Sequence, residues 1–156
     1  MKKTLASLSL LASVVLASFP ALAATGSFTK TSTAPGITVY SDGSASTALT
    51  SFMVSSTDFP SGTLNKPKTL TLVRYSLASY PGASSEYVQL CYYRPYTASA
   101  AKCIDVNPGT TSNTSDFNSY TFDNGVQLQV RRDVTGAPGS QLRPSRQESV
   151  TLEFNY

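Results

Sequence analysis

Apolar and polar residues alternate along several short segments of the chain, and no window repeats apolar residues at the spacing of a helix face. Because successive side chains of a strand point to opposite faces of a sheet, strict alternation predicts strands. The predicted strands are residues 36–40, 69–77, 87–93, 103–106, 120–122, 126–130 and 150–156. The stretches 45–65 and 110–119, rich in Ser, Thr and Asn, are expected to be loops or irregular edges.

Turn-forming dipeptides separate these segments, and Asn124-Gly125 is the sharpest of them. This pair favours the turn whose twist matches a two-residue hairpin, so we expect a hairpin between residues 120–122 and 126–130. Seven short strands without a helix to cover a parallel sheet predict an all-β fold, an antiparallel β-sandwich with one disulfide. We prefer a sandwich to a barrel, and we expect a single domain over residues 24–156.

The amino terminus has the pattern of a secretory signal peptide. Lys2 and Lys3 precede an apolar run over residues 5–19, which ends near the small residues Ala21 and Ala23. The apolar run is shorter than the roughly 20 residues that a membrane-spanning helix requires. We therefore predict cleavage after residue 23, a mature chain without a transmembrane segment, and export to the periplasm or, beyond it, to the cell exterior.

Cys91 and Cys103 are the only cysteines, and an even number in an exported chain predicts a disulfide. If Val88 and Leu90 point into the core, Cys91 points to the opposite face of the sheet. Ile104 would likewise leave Cys103 on that opposite face. The two sulfurs can then meet across neighbouring antiparallel strands, joined by a loop over residues 94–102. A redox role would instead be expected to show a close Cys-x-x-Cys pair.

The net charge and the residue composition limit the functions that the chain can perform. Twelve basic residues stand against nine acidic ones, and two lysines leave with the signal peptide, so the mature chain has almost no net charge and gives no reason to expect a nucleic-acid partner. The chain has no histidine, which removes histidine-based nucleophile systems and the commonest transition-metal ligand. Its carboxylates are scattered singly, and no calcium loop or phosphate-binding glycine motif is present. We predict no enzymatic activity, no metal site and no cofactor.

Tyrosines and arginines are the candidates for recognition. Tyrosines on a sheet face can anchor a protein partner or stack on sugars, and arginines can pair with an acidic partner. The candidate interaction surface comprises Tyr75, Tyr87, Tyr93, Tyr96, Arg131 and Arg132. Tyrosine is also a favoured strand residue, and solvated arginines are common near hairpin ends, so packing and solvation are the stronger interpretations of both groups.

The order of motifs resembles the FlhE family of periplasmic flagellar proteins. Segments similar to that family occur at residues 26–28, 36–40, 72–75, 88–91, 103–105, 109–111 and 150–156, and so extend through almost all of the mature chain. Phe28 and Val73 stand where the family carries tryptophan, and the loop between the cysteines is longer. The resemblance implies a periplasmic β-sandwich without catalytic residues. It also implies a protein partner in the flagellar export apparatus or axial structure, with an accessory or chaperone-like role.

Three other functions compete with this interpretation. A fimbrial or adhesin-type surface subunit would fit the single disulfide and the Ser- and Thr-rich strands, but such a subunit usually requires a donor strand from its neighbour. A carbohydrate-binding module would use the tyrosines between residues 75 and 96. A proteinaceous enzyme inhibitor would present residues 94–102 as a rigid loop.

Overall fold

The computed structural model describes residues 23–156, and the predicted signal peptide, residues 1–23, lies outside this part of the chain except for its last residue. Within it the strands are β1 (Thr25–Ser32), β2 (Ile37–Thr38), β3 (Ala48–Met53), β4 (Thr69–Ser76), β5 (Ala83–Tyr93), β6 (Ala100–Val106), β7 (Thr111–Thr114), β8 (Gln127–Gly136), β9 (Gln141–Leu142) and β10 (Glu148–Asn155). A single turn of 3-10 helix, Ser56–Asp58, follows β3.

Two four-stranded sheets form the body of the fold, and every strand pairing within them is antiparallel. The strand order is β1-β10-β4-β7 in the first sheet and β3-β8-β5-β6 in the second, while β2 pairs with β9 in a separate short ribbon. The inward faces of the two large sheets contribute to one hydrophobic core. The predicted antiparallel sandwich is therefore confirmed, and so is its disulfide, Cys91–Cys103.

Aromatic side chains fill much of the space between the sheets. At one end, Phe28, Phe59, Phe122 and Phe154 form a cluster with ring centroids 5.4–6.5 Å apart. Such separations are typical of favourable aromatic pairs. A second, smaller core cluster includes Tyr80 and lies against the β2–β9 ribbon.

The predicted hairpin at Asn124-Gly125 is wrong, although a turn does form there. Val126 N donates to Asp123 O at 3.2 Å, and Gly125 adopts a positive φ of 86°. The turn, however, pairs with the end of β3, because Gly125 N donates to Val54 O at 2.9 Å and Val54 N donates to Val126 O at 2.8 Å. Residues 120–122 form no strand, although Phe122 is buried in the core.

Four strands escaped the alternation pattern. β3 lies in the stretch 45–65 and β7 in the stretch 110–119, both of which were expected to be loops or irregular edges, and both are edge strands. Neither β1 nor β9 was predicted as a strand. In β3 the inward positions include Thr50, and the outward positions include Leu49 and Met53, so apolar residues occur on both faces. In β7 no residue is apolar, so its pairing with β4 leaves no trace in the pattern.

Candidate functional site

The outward surface of the second sheet carries the cysteine pair, and we call this surface the disulfide face. Its inward neighbours, such as Phe52, Leu90 and Val130, are buried in the core, so the alternate positions point outward. The face comprises Leu49, Ser51 and Met53 of β3, Gln127, Gln129, Arg131 and Asp133 of β8, Tyr87, Gln89, Cys91 and Tyr93 of β5, and Cys103 and Asp105 of β6.

Strand register arranges these side chains in rows across the sheet. One row aligns Leu49, Arg131, Gln89 and Asp105 on four adjacent strands. The next row aligns Ser51, Gln129, Cys91 and Cys103 in the same way. The residues between 49 and 133 that form this surface are therefore neighbours only because four strands pair in this order.

The disulfide ties β5 to β6 in the middle of the face. Cys91 and Cys103 are directly opposite each other in the strand register, with their Cα atoms 4.0 Å apart. Beside them is a cavity of about 370 Å³ whose lining includes both cysteines, Tyr93, Gln129 and Arg131. Because a covalent bond joins its two strands, this part of the surface is held in one geometry.

Hydrogen bonds fix the polar side chains of the face. The Tyr87 hydroxyl donates to Asp105 Oδ1 at 2.6 Å, and Gln89 Nε2 donates to the same oxygen at 3.0 Å. The Tyr93 hydroxyl donates to Gln129 Oε1 at 3.0 Å. These bonds connect side chains on neighbouring strands, so they orient both tyrosine rings relative to the sheet.

The hydrogen bond from Tyr87 affects the ionisation of both partners. It is the main cause that lowers the pKa of the Asp105 carboxyl, to which the Gln89 amide adds. The same bond is the main cause that raises the pKa of the Tyr87 phenol. Both shifts favour a charged carboxylate and a protonated phenol over the whole neutral range.

We expect the substitution Tyr87→Phe to raise the pKa of Asp105 toward its ordinary value of about 3.9, because the carboxylate loses its strongest donor. In the wild type the folded-state pKa lies below the unfolded-state one. The carboxylate therefore stabilises the fold fully above the unfolded-state pKa, and this contribution disappears as the pH falls through the lowered folded-state pKa. Carbon-detected NMR titration of Asp105 measures the shift. Tyr40→Phe is the control, since the Tyr40 hydroxyl contacts Ser46 instead, and an Asp105 pKa unchanged by Tyr87→Phe would contradict the assignment.

The structure brings together three of the six candidate interaction residues, Tyr87, Tyr93 and Arg131, on the disulfide face. Tyr96 lies beyond the end of β5 and is 81% exposed. Tyr75 and Arg132 do not contribute to any surface. Tyr75 points inward from β4 and joins the core, and Arg132 is completely buried.

Arg132 lies inside the sandwich between two carboxylates that the sequence did not single out. Its guanidinium donates through both terminal nitrogens to Glu148 of β10, and its Nε lies 3.2 Å from Glu86 Oε1 of β5, an ion-pair contact without hydrogen-bond geometry. Glu148 also accepts the Ala78 N–H at 2.9 Å, and Glu86 accepts the Tyr80 N–H at 3.0 Å. The network joins the two sheets. Extending the alternation of β8 past Val130 would have placed Arg132 inward.

Two negative findings concern residues 23–156 alone. Within that range no three His, Cys, Asp or Glu side chains come together in a way that could hold a metal ion. Over the same residues no helix is long and apolar enough to span a membrane.

The fold was compared with those of known proteins. No family model matches the chain, and no curated protein matches it in sequence. Among solved structures, the crystal structure of FlhE is similar with a TM-score of 0.53 and 14% identity, and the alignment covers 86% of this chain and 100% of FlhE. Structures of Desmodium yellow mottle tymovirus (TM-score 0.38, 16% identity, 99% of this chain and 93% of that chain) and of a mud crab tombus-like virus (TM-score 0.32, 12% identity, 100% and 90%) are too dissimilar to support any argument. The chain thus shares the fold of FlhE as a distant structural relative.

Proposed function

We propose that the protein is an exported, non-enzymatic accessory protein of the flagellum that binds a protein component of the export apparatus or axial structure through its disulfide face. The proposal combines two parts, a binding surface and a cellular setting. The distribution of exposed residues supports the surface, and the likeness to FlhE supports the setting.

The distribution of exposed apolar side chains carries the proposal. Six large hydrophobic residues are exposed in the described part of the chain, and three of them, Leu49, Met53 and Tyr87, lie on the disulfide face. None lies on the outward surface of the first sheet. That surface instead has short polar pairs, such as Thr29 with Thr151 at 2.7 Å and the Arg74–Glu153 ion pair.

The residue types on the disulfide face are those that protein interfaces favour. Tyrosine, methionine and arginine are enriched at interfaces, and tyrosine and arginine often dominate the binding energy. Here Met53, Tyr87, Tyr93 and Arg131 occupy one continuous sheet surface. Because hydrogen bonds across the sheet already orient the Tyr87 and Tyr93 side chains, binding would cost little conformational entropy at these two residues.

The likeness to FlhE supports the flagellar setting, and the cysteine pair and the amino terminus support the compartment. The order of motifs resembles the FlhE family of periplasmic flagellar proteins, and the fold is shared with FlhE itself. The Cys91–Cys103 disulfide suits an oxidising compartment such as the periplasm, as does the predicted signal peptide.

Complementation of a gene deletion tests both parts of the proposal. We expect the deletion to change swimming, filament number or cytoplasmic pH, and the wild-type gene to restore them. We expect Arg131→Glu combined with Tyr87→Ser to fail to restore them, since the pair removes an anchor and reverses a charge at the centre of the face. Arg74→Glu is the matched control, because Arg74 is an exposed strand arginine on the opposite sheet.

The outcomes separate the two parts. A deletion strain unchanged in all three measurements would rule out the flagellar setting. Full complementation by the double variant, at wild-type protein level, would show that the disulfide face is not the binding surface.

A further inference from the structure

An exposed tyrosine in a strained backbone conformation marks the end of the sandwich beyond β5. Residues 94–97 form a turn in which Thr97 N donates to Arg94 O at 3.3 Å, with Pro95 in the second position. Tyr96 takes the third position with φ 57°, and it is the only non-glycine residue with positive φ among residues 23–156. Such turns normally place Gly or Asn there. Strain of this kind persists where the surroundings hold it and often marks a ligand site.

The surroundings hold the Tyr96 ring in one place. The ring lies against Gly125, where an added Cβ would come within 2.8 Å of it, so only glycine permits this approach. Asn124 Nδ2 donates to the Tyr96 hydroxyl at 2.9 Å. Tyr96 is nevertheless 81% exposed as a residue, so aromatic surface remains available to a ligand.

A groove of about 380 Å³ lies beside the ring. Its other lining groups include Ser56, Leu64, Asn65, Asp123 and Asn124. Its volume falls near the lower end of the range for small-molecule sites, which starts at about 300 Å³. The groove therefore combines apolar surface from Leu64, Pro95 and Tyr96 with hydroxyl, carboxamide and carboxylate groups.

A buried lysine forms hydrogen bonds to both sides of the groove, the segment 64–66 and Asp123. Lys68 Nζ donates to Leu64 O at 2.9 Å, to Lys66 O at 3.1 Å and to Asp123 Oδ1 at 3.1 Å, and its side chain is fully buried. All three ammonium protons are thus used within the protein. Asp123 is left with its second oxygen as an acceptor on a partly exposed side chain, on a wall that cannot move independently of residues 64–66.

We propose that this groove binds a neutral oligosaccharide, with one sugar ring stacked on Tyr96 and its hydroxyls bound by Asn65, Asp123 and Asn124. A pyranose has an apolar face for an aromatic ring and an edge of hydroxyls that both donate and accept. Carboxamides offer both functions, and a carboxylate accepts from two neighbouring hydroxyls. None of the described side chains that line the groove is cationic, so the groove offers no positive charge to an acidic sugar. A peptide that adds a strand would need a free strand edge, and all the residues that line this groove lie outside the strands.

This site is separate from the disulfide face. Tyr96 follows the last residue of β5, Tyr93, and the groove is built from loops at that end of the sandwich. Failure of the flagellar complementation would leave the sugar site unaffected, and failure of sugar binding would leave the disulfide face unaffected.

Backbone NMR titration with cellotriose, maltotriose and tri-N-acetylchitotriose tests the proposal. We expect saturable shifts of the Asn65, Asn124 and Gly125 amides with at least one of these three sugars. We expect Tyr96→Gly to weaken that binding at least about tenfold, a loss of about 1.4 kcal/mol. Glycine suits the positive φ at this position, so this variant should keep the fold and its thermal midpoint.

Two further variants provide a control and a second test of the site. Tyr40→Ser, at an exposed tyrosine outside the groove, should bind as the wild type does. Asn124→Ala should weaken binding even though the aromatic ring remains. The proposal is overturned if none of the three sugars produces saturable shifts in this region, or if Tyr96→Gly binds as tightly as the wild type.

Discussion

Replacing Arg132 with methionine is expected to lower the free energy of unfolding by about 3–5 kcal/mol, because it leaves two buried carboxylates without their cation. Arg132 and Glu148 are both fully buried, and the side chain of Glu86 is almost fully buried. Methionine keeps much of the volume, so the loss reports the charge and not an empty space. Urea denaturation followed by far-ultraviolet circular dichroism measures it.

The adjacent residue provides the control. Arg131 lies on the same strand but points outward, and its nearest carboxylate, Asp133, is 3.9 Å away on an exposed side chain. Surface substitutions of this kind change stability by only about 0.5 kcal/mol or less. Equal losses for Arg131→Met and Arg132→Met would show that the buried network does not stabilise the sandwich.

A combined variant separates charge from packing. Adding Glu86→Gln and Glu148→Gln to Arg132→Met removes both uncompensated charges, while each amide oxygen can still accept the N–H of Tyr80 or Ala78. We therefore expect the triple variant to recover part of the stability that Arg132→Met loses. If it is less stable than the single variant, the loss comes from packing.

Removing the disulfide has the second-largest expected effect, and it should lower the free energy of unfolding by about 3 kcal/mol. Cys91 and Cys103 are 12 residues apart, and a closed loop of this length removes substantial freedom from the unfolded chain. The double variant Cys91→Ala with Cys103→Ala should unfold at lower urea concentration, and equilibrium unfolding by urea measures the difference.

A reducing agent distinguishes the cross-link from the side chains. Wild-type protein unfolded and refolded with reductant should lose stability to a similar extent, and the double alanine variant should not respond to reductant at all. A wild-type midpoint that is the same with and without reductant would mean that the bond does not stabilise the fold.

The local alternation of apolar and polar residues was sufficient to predict a strand where one face of that strand is apolar and the other is polar. Val88 and Leu90 alternate with Gln89 and Cys91, and this alternation predicted both the core positions and the side of the sheet that carries the cysteines. The same reasoning failed for β3, which presents Leu49 and Met53 outward, and for β7, which has no apolar residue. Those strands are held by pairing with neighbours that are distant in sequence, and alternation contains no information about such partners.

The candidate surface was predictable in part. Tyr87, Tyr93 and Arg131 were identified by residue type, and the register of β5 and β8 places them on one face. Residue type alone could not separate Arg131 from Arg132, whereas continuing the alternation of β8 past Val130 separates them. The groove at Tyr96 was even less accessible to sequence reasoning, because its walls come from segments around residues 56, 65, 96 and 124.

The sequence by itself determined the strand-forming character of the chain, the cysteine pair and the absence of histidine chemistry, because these depend on residue type and on a period of two. Only the tertiary structure decided the strand order, the placement of Glu86 and Glu148 beside Arg132, and the turn at Asn124-Gly125 that pairs with the end of β3. These features depend on contacts between segments far apart in the chain. Such contacts are chosen by the packing of two whole sheets, which no short window of sequence describes.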